Sequence, residues 1–127
     1  MTRETKGKEA ALEHYAHPRN QGEMPSPDAS ASIYNPACGD TLRLMLKVSN
    51  GVITEARWKA QACGASLAAA SLATETIRGM TLAQAEAVTR EQIADAFGGL
   101  LPAKFHSATL AVDAVRAAIQ DYTAKRR

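Results

Sequence analysis

The stretch that decides the fold runs from residue 42 to residue 61 and is LRLMLKVSNGVITEARWKAQ. Its first half alternates apolar and polar residues, which is the period of a strand with one buried face. The apolar positions are Leu42, Leu44, Leu46 and Val48. Asn50-Gly51 follows, and both residue types tolerate the positive φ angles of a two-residue hairpin turn. A return strand is therefore predicted over 52–61, with one face formed by Val52, Thr54, Ala56 and Trp58.

Outward from this hairpin, the chain predicts one further strand and several helices. The predicted strands are 31–34, 41–49 and 52–61. The predicted helices are 8–17, 65–77, 81–86, 89–97 and 107–122. Residues 19–32 are rich in Asn, Gly, Pro, Ser and Asp, which indicates a surface connection. This order predicts an α+β fold, in which a small antiparallel sheet of about three strands is covered by helices, with a long C-terminal helix.

Length and composition narrow the classes of function. The 127 residues fit a single domain over 1–127, of which residues 1–7 are expected to be flexible. A formal net charge of +2 with scattered basic residues does not predict nucleic-acid binding. The sequence shows neither an export signal nor the roughly 18 consecutive apolar residues of a membrane span. We therefore expect no membrane association and a cytoplasmic protein whose two cysteines are reduced.

Both cysteines lie at ends of the predicted hairpin strands. Cys38 and Asp40 precede the first strand, and Cys63 follows the second. Because the strands are antiparallel, the start of one and the end of the other lie at the same end of the sheet. Cys38, Asp40 and Cys63 are therefore predicted to form a metal-binding end. Gly39 and Gly64 are expected to permit tight turns beside them.

Cys63 also directly precedes a predicted helix, whose N-terminus favours the thiolate that binds metal or accepts sulfur. The alternative is that Cys63 is a small buried apolar residue, as unpaired cysteines often are. His106 is a further candidate, although a lone histidine is more often a surface or hydrogen-bonded residue than a ligand. His14 and His17 are interpreted as surface or packing residues. The cysteines lack the C-x-x-C spacing of a thiol redox enzyme.

Four motifs follow one another along the chain: HYAHPRNQG at 14–22, NPACGD at 35–40, ACGAS at 62–66 and SLATE at 71–75. In this order and spacing they resemble the IscU/NifU N-terminal family of iron–sulfur cluster assembly scaffolds. The resemblance implies a non-catalytic scaffold that binds iron and receives sulfur from a cysteine desulfurase. It further implies a transient [2Fe-2S] cluster that is passed to recipient iron–sulfur proteins, and zinc binding at the same site. The chain lacks the insertion found in the SufU branch of the family.

One position departs from the family pattern. The family has a third cysteine directly after the histidine of its last motif, and Ser107 stands there in this chain. A serine hydroxyl is a poor metal ligand and cannot carry a persulfide. The resemblance then implies a metal site of Cys38, Asp40, Cys63 and His106, with Ser107 as a weak or substituted ligand position. Two thiolates, a carboxylate and an imidazole suit tetrahedral zinc, and Cys63 is the candidate persulfide acceptor.

Three explanations of Ser107 stay open: an introduced Cys→Ser change, a diverged scaffold that binds zinc or a weaker cluster, and a zinc-binding paralogue. The paralogue would be a regulatory or binding partner of the sulfur-transfer machinery. A small zinc hydrolase is a further alternative, but no general base with suitable spacing accompanies it. The family loop LPPVK, which a dedicated chaperone recognises, is LLPAK over 100–104 here. This segment does not predict chaperone recognition, and it is equally compatible with a proline-containing entry to the last helix.

Overall fold

The predicted hairpin belongs to a three-stranded antiparallel sheet. The computed structural model describes residues 3–36, 39–98 and 105–126. The strands are β1 (Ala29–Asn35), β2 (Asp40–Ser49) and β3 (Val52–Gln61), in the spatial order β1-β2-β3. The helices in those ranges are α1 (Arg3–Ala16), α2 (Gly64–Ile77), α3 (Leu82–Glu86), α4 (Arg90–Ala96) and α5 (Phe105–Lys125). The α+β class and the long C-terminal helix are confirmed.

The β2–β3 hairpin contains one irregularity that the sequence pattern hid. Its turn, Asn50-Gly51, has φ angles of 53° and 76°, as this turn type requires. The register shifts after Lys47 and leaves Thr54 as an extra residue on β3. Because this bulge breaks the alternation, Ile53 is fully buried while Thr54 is exposed. The predicted face of β3 is therefore wrong before the bulge and right after it, where Trp58 is fully buried.

Helices α2 and α5 pack against the sheet and enclose the core. The β2 residues of this core are Leu42, Leu44 and Leu46. The apolar stripe predicted for α5 is buried at Leu110, Val112, Ala114, Val115, Ala118 and Ile119. Burying a side chain of the size of Leu or Ile stabilises the fold by about 1.5–3 kcal/mol. This packing fixes the first turns of α2 and α5 relative to the end of the hairpin.

The two short helices begin where their threonines predict. Thr81 and Thr89 each accept a hydrogen bond from the backbone N–H of a glutamine three residues on, Gln84 and Gln92. Each glutamine side chain accepts one in return from the threonine N–H, which completes a capping box. None of the helices in the described ranges has the length and hydropathy that crossing a bilayer requires.

The N-terminal part is more structured than its composition indicates. Helix α1 begins at Arg3, five residues before the predicted start at residue 8. The segment after it, predicted as a surface connection, lies along the edge of β3. There the backbone N–H of Trp58 donates to the carbonyl of Asn20 at 3.0 Å, and the backbone N–H of Gly22 donates to the carbonyl of Trp58 at 2.9 Å. Met24 in this segment is buried. A non-local backbone pairing therefore replaces the expected loop.

Candidate metal centre

The predicted metal-binding end is where β2 begins, β3 ends and α5 begins. Asp40 is the first residue of β2, and Cys63 is the N-cap of α2, two residues after β3. The antiparallel pairing of β2 with β3 brings them together, as the topology predicts, and the backbone N–H of Cys63 donates to Oδ1 of Asp40 at 3.3 Å. His106 and Ser107 enter from the first turn of α5. Cys38 lies outside the described residues.

Three of the four predicted ligands converge. One ligand atom each from Asp40, Cys63 and His106 lies within 4.8 Å of the others. Within this group, Oδ2 of Asp40 and Nε2 of His106 are 3.9 Å apart. Asp40 is buried, whereas Cys63 and His106 are partly exposed. The group is therefore anchored on one side and open to solvent on the other.

Two buried hydroxyls lie beside these ligand atoms, and one of them was missed from the sequence. Ser66 is 2% exposed, and its Oγ lies 2.7 Å from Oδ2 of Asp40. Its Oγ also lies 3.1 Å from Oγ of Ser107, which is fully buried, and 3.4 Å from Sγ of Cys63. The only signal in the sequence was the spacing: Ser66 is three residues after Cys63, one helical turn along α2.

The donor set fits a tetrahedral metal ion after a small closure. With zinc–ligand bonds of about 2.0–2.3 Å, ligand atoms of a tetrahedral site lie roughly 3.3–3.8 Å apart. The Asp40–His106 pair, at 3.9 Å, exceeds the lower end of this range by about 0.6 Å. Side-chain rotations that move the ligand atoms by about 1 Å would close the remaining distances between them, which reach 4.8 Å at most. A thiolate, an imidazole and a carboxylate are ligands that both zinc and iron accept.

The two glycines beside the site act differently from one another. Gly39 has a φ of 75°, so its turn needs glycine, as predicted. Gly64 begins α2 and is not among the residues with positive φ. A Cβ at Gly64 would lie 2.8 Å from the ring of Tyr15. Its small size therefore serves the close approach of α1 to α2, and the predicted tight turn at Gly64 is wrong.

The histidines near the N-terminus are separate from this centre. His17 is exposed, whereas His14 is buried, with Nδ1 2.7 Å from Oγ of Ser71 on α2. Ser71 also accepts the backbone N–H of Arg19 at 2.8 Å, which ties α2 to the segment after α1. Burial lowers the pKa of His14, and the Glu75 carboxylate 3.9 Å away opposes that shift. His14 is a neutral packing residue that ties α1 to α2.

Comparison with known proteins adds the family. The model of the family described as "NifU-like N terminal domain" matches residues 6–127. The chain belongs to this family. The family match includes all four predicted metal ligands and both buried serines, so the centre lies inside the shared domain rather than in an appended segment.

Bacterial relatives share much of the NifU-like sequence. The iron-sulfur cluster assembly scaffold protein IscU of Azotobacter vinelandii is 41% identical over 119 residues, which are 91% of this chain and 92% of the relative. The protein of the same name from Escherichia coli strain K12 is 41% identical over 122 residues, 93% of this chain and 94% of the relative. The resemblance seen in the motifs therefore extends over nearly the full length of both chains.

Solved structures support the fold. A NifU-like protein (N-terminal) from Brucella abortus superposes with a TM-score of 0.77 at 23% identity, covering 96% of this chain and 99% of that one. A SUF-system iron-sulfur cluster assembly scaffold from Fervidobacterium islandicum superposes with a TM-score of 0.62 at 16% identity, covering 91% and 93%. At these identities the likeness shows the NifU-like fold alone.

Proposed function

We propose that this protein is a non-catalytic scaffold on which an iron–sulfur cluster is assembled and from which it is handed on. The observation that carries the proposal is the convergence of Asp40, Cys63 and His106 within 4.8 Å at a solvent-accessible end of the fold. Its membership in a family whose relatives are named as cluster assembly scaffolds supports this reading. With Cys38, which precedes Asp40 by two residues, the ligand set would comprise two thiolates, a carboxylate and an imidazole.

The cargo would be zinc or a transient [2Fe-2S] cluster. Cys63 is a partly exposed thiol outside any disulfide, at the N-cap of α2 and beside the other ligand atoms. It is therefore the candidate acceptor of sulfur from a cysteine desulfurase. In that transfer the Cys63 thiolate attacks the outer sulfur of the desulfurase persulfide, and the desulfurase cysteine leaves as a thiolate. An external electron donor would reduce this persulfide sulfur by two electrons to sulfide and release the Cys63 thiolate. The sulfide and iron would build the cluster, which recipient iron–sulfur proteins then take up.

Reduced thiols of this kind fit the cytoplasm, where we place the protein. Residues 100–104, where the family has its chaperone-recognition loop, lie outside the described residues, and we include no chaperone in the proposal.

A second candidate rests on Ser107. Because its hydroxyl is fully buried and hydrogen-bonded to Ser66, the site has an oxygen where the family has a thiolate. Such a donor set suits a single zinc ion better than a cluster, which is usually held by cysteine thiolates. On this reading the protein is a zinc-binding partner of the sulfur-transfer machinery.

Metal analysis of the purified protein tests the shared core of both candidates. We expect about one zinc ion per chain in the wild type, the stoichiometry of a single tetrahedral site, and a clear loss in Cys63→Ala. Ser71→Ala is the matched control, because Ser71 is a buried polar residue of the same helix that contacts none of the ligands. It should lose thermal stability and keep its metal. A metal-free wild type, or undiminished metal in Cys63→Ala, would refute the ligand assignment.

A further inference from the structure

Ser66 is placed at the metal centre by the way α2 begins. Cys63 is the N-cap, so Ser66 is the third residue of the helix and lies one turn above Cys63 on the same face. Its neighbours in the helix, Ala68, Ala69 and Ala70, belong to the apolar core, whereas the Ser66 hydroxyl is hydrogen-bonded to polar groups of the site. Because Ser66 is only 2% exposed, bulk water cannot take over its hydrogen bonds.

The hydroxyl proton of Ser66 can be placed by counting donors and acceptors. A hydroxyl carries one proton, and an ionised carboxylate only accepts. The shortest contact of Ser66 is the 2.7 Å distance to Oδ2 of Asp40, so its proton is donated there. Oγ of Ser107 lies 3.1 Å from Oγ of Ser66 and extends the contact to a third group. The result is a chain of hydrogen bonds that joins Ser107, Ser66 and Asp40.

This chain holds the carboxylate from both sides. Oδ1 of Asp40 accepts the backbone N–H of Cys63, and Oδ2 accepts the hydroxyl of Ser66. Oδ2 is also the oxygen that lies 3.9 Å from Nε2 of His106. Ligating carboxylates are commonly held by such outer hydrogen bonds, which orient them toward the metal. Where the family has a third thiolate, this chain has an oxygen network that fixes the carboxylate instead.

We propose that Ser66 is a positioning residue that holds Asp40 as a resident metal ligand, in place of the missing third thiolate. The inference rests on the proposed function in one respect only, that this centre binds metal. Ser66 does not coordinate the ion; it acts through Asp40. Removing its hydroxyl takes away the 2.7 Å hydrogen bond that Oδ2 accepts and so weakens the hold on the orientation of the carboxylate.

The test measures zinc affinity by competition with a chromophoric chelator, in the wild type and in Ser66→Ala. Loss of an outer hydrogen bond to a ligand typically weakens metal binding about 10- to 100-fold, and we expect a weakening in this range. Ser66→Thr keeps the hydroxyl and should restore affinity to within about threefold of the wild type, well short of that loss. Cobalt(II) loaded in place of zinc provides a second readout, because its visible absorption reports coordination number. Ser66→Ala should weaken and shift the bands of the tetrahedral ion.

A double-mutant cycle with Asp40→Asn shows through which residue Ser66 acts. If Ser66 works through the Asp40 carboxylate, Ser66→Ala should change affinity less than about twofold in the Asp40→Asn background. An equal loss in both backgrounds would overturn the proposal, and so would wild-type affinity in Ser66→Ala. A wild type that binds no zinc or cobalt would refute both the metal-binding function and this inference. Ser71→Ala separates a general loss of stability from a loss of metal.

Discussion

Replacing Ser107 by cysteine introduces a thiol where the oxygen network now lies. Oγ of Ser107 is 3.9 Å from Sγ of Cys63. Two thiolates on one tetrahedral zinc ion lie about 3.8 Å apart, since each zinc–sulfur bond is about 2.3 Å long. The position is therefore already spaced for a thiolate pair, and its main cost is the lost hydrogen bond to Ser66, about 1 kcal/mol.

The size of the effect on zinc follows from general ligand energies. Structural zinc sites bind with about 10–16 kcal/mol, or about 3 kcal/mol per ligand. Ionising a free thiol of pKa about 8.5 at pH 7.5 costs about 1.4 kcal/mol. Because zinc takes four ligands, the introduced thiolate competes with Asp40 for one place. Subtracting the ionisation cost and the roughly 1 kcal/mol of the lost Ser66 hydrogen bond leaves a net gain of at most about 0.6 kcal/mol even before the displaced Asp40 is counted, so the zinc Kd should fall by no more than about threefold.

Cluster assembly should respond more strongly than zinc binding. After reconstitution with iron, sulfide and a cysteine desulfurase, we expect the wild type to give a weak or unstable visible chromophore and Ser107→Cys to give a stronger and longer-lived one. Ser107→Ala is the matched control, because it also removes the hydroxyl but adds no thiol. A robust cluster in the wild type, or the same weak chromophore in Ser107→Cys and Ser107→Ala, would refute the reasoning.

Two further predictions concern α1 and its packing. Burial lowers the pKa of His14, so the fold favours its neutral form; this contribution to stability is present above the unfolded pKa of about 6.5 and is lost as pH falls toward the native pKa. Urea denaturation at pH 5.5 and 7.5 should therefore show a larger loss for the wild type than for His14→Gln, which can still bond Ser71; equal losses would contradict this. A Cβ at Gly7 would overlap backbone atoms at the end of α4, which cannot turn aside, so Gly7→Ala should lower the free energy of unfolding by about 1–3 kcal/mol despite better helix propensity. Gly64→Ala meets only the exposed, rotatable ring of Tyr15, so its effect should stay below about 1 kcal/mol; chemical denaturation that finds the two equally destabilised would refute the distinction.

Local patterns predicted the elements of the fold well. The alternation of β2, the Asn50-Gly51 turn and the threonine caps at Thr81 and Thr89 each act within a few residues, and each is present. Antiparallel topology was then enough to bring Asp40 and Cys63 together. The Thr54 bulge was missed because period-two counting assumes an unbroken ladder, and nothing beside Thr54 in the sequence marks the break.

Hydrogen bonds between residues far apart in the sequence, outside the hairpin, were not predicted. The Ser71 hydroxyl that holds His14 comes from 57 residues along the chain. The pairing of residues 20–22 with Trp58 likewise depends on a strand that follows much later. Ser66 was missed for a related reason. A serine in an alanine-rich helix gives no sign of a special role, and its partner Ser107 lies 41 residues away. Hairpin topology and the family resemblance identify the ligands, but the groups that position them come from other elements.

The two buried serines also bear on how a carrier releases its cargo. A buried hydroxyl without a partner costs about 1–3 kcal/mol, yet Ser66 and Ser107 satisfy each other and Asp40 within the network. These bonds form among the side chains themselves, so the network does not depend on a metal for its hydrogen bonding. An all-thiolate site would instead leave several charged sulfurs facing one another when cargo departs. The oxygen network therefore lowers the cost of release, at the expense of affinity, which is the balance that a transient carrier needs.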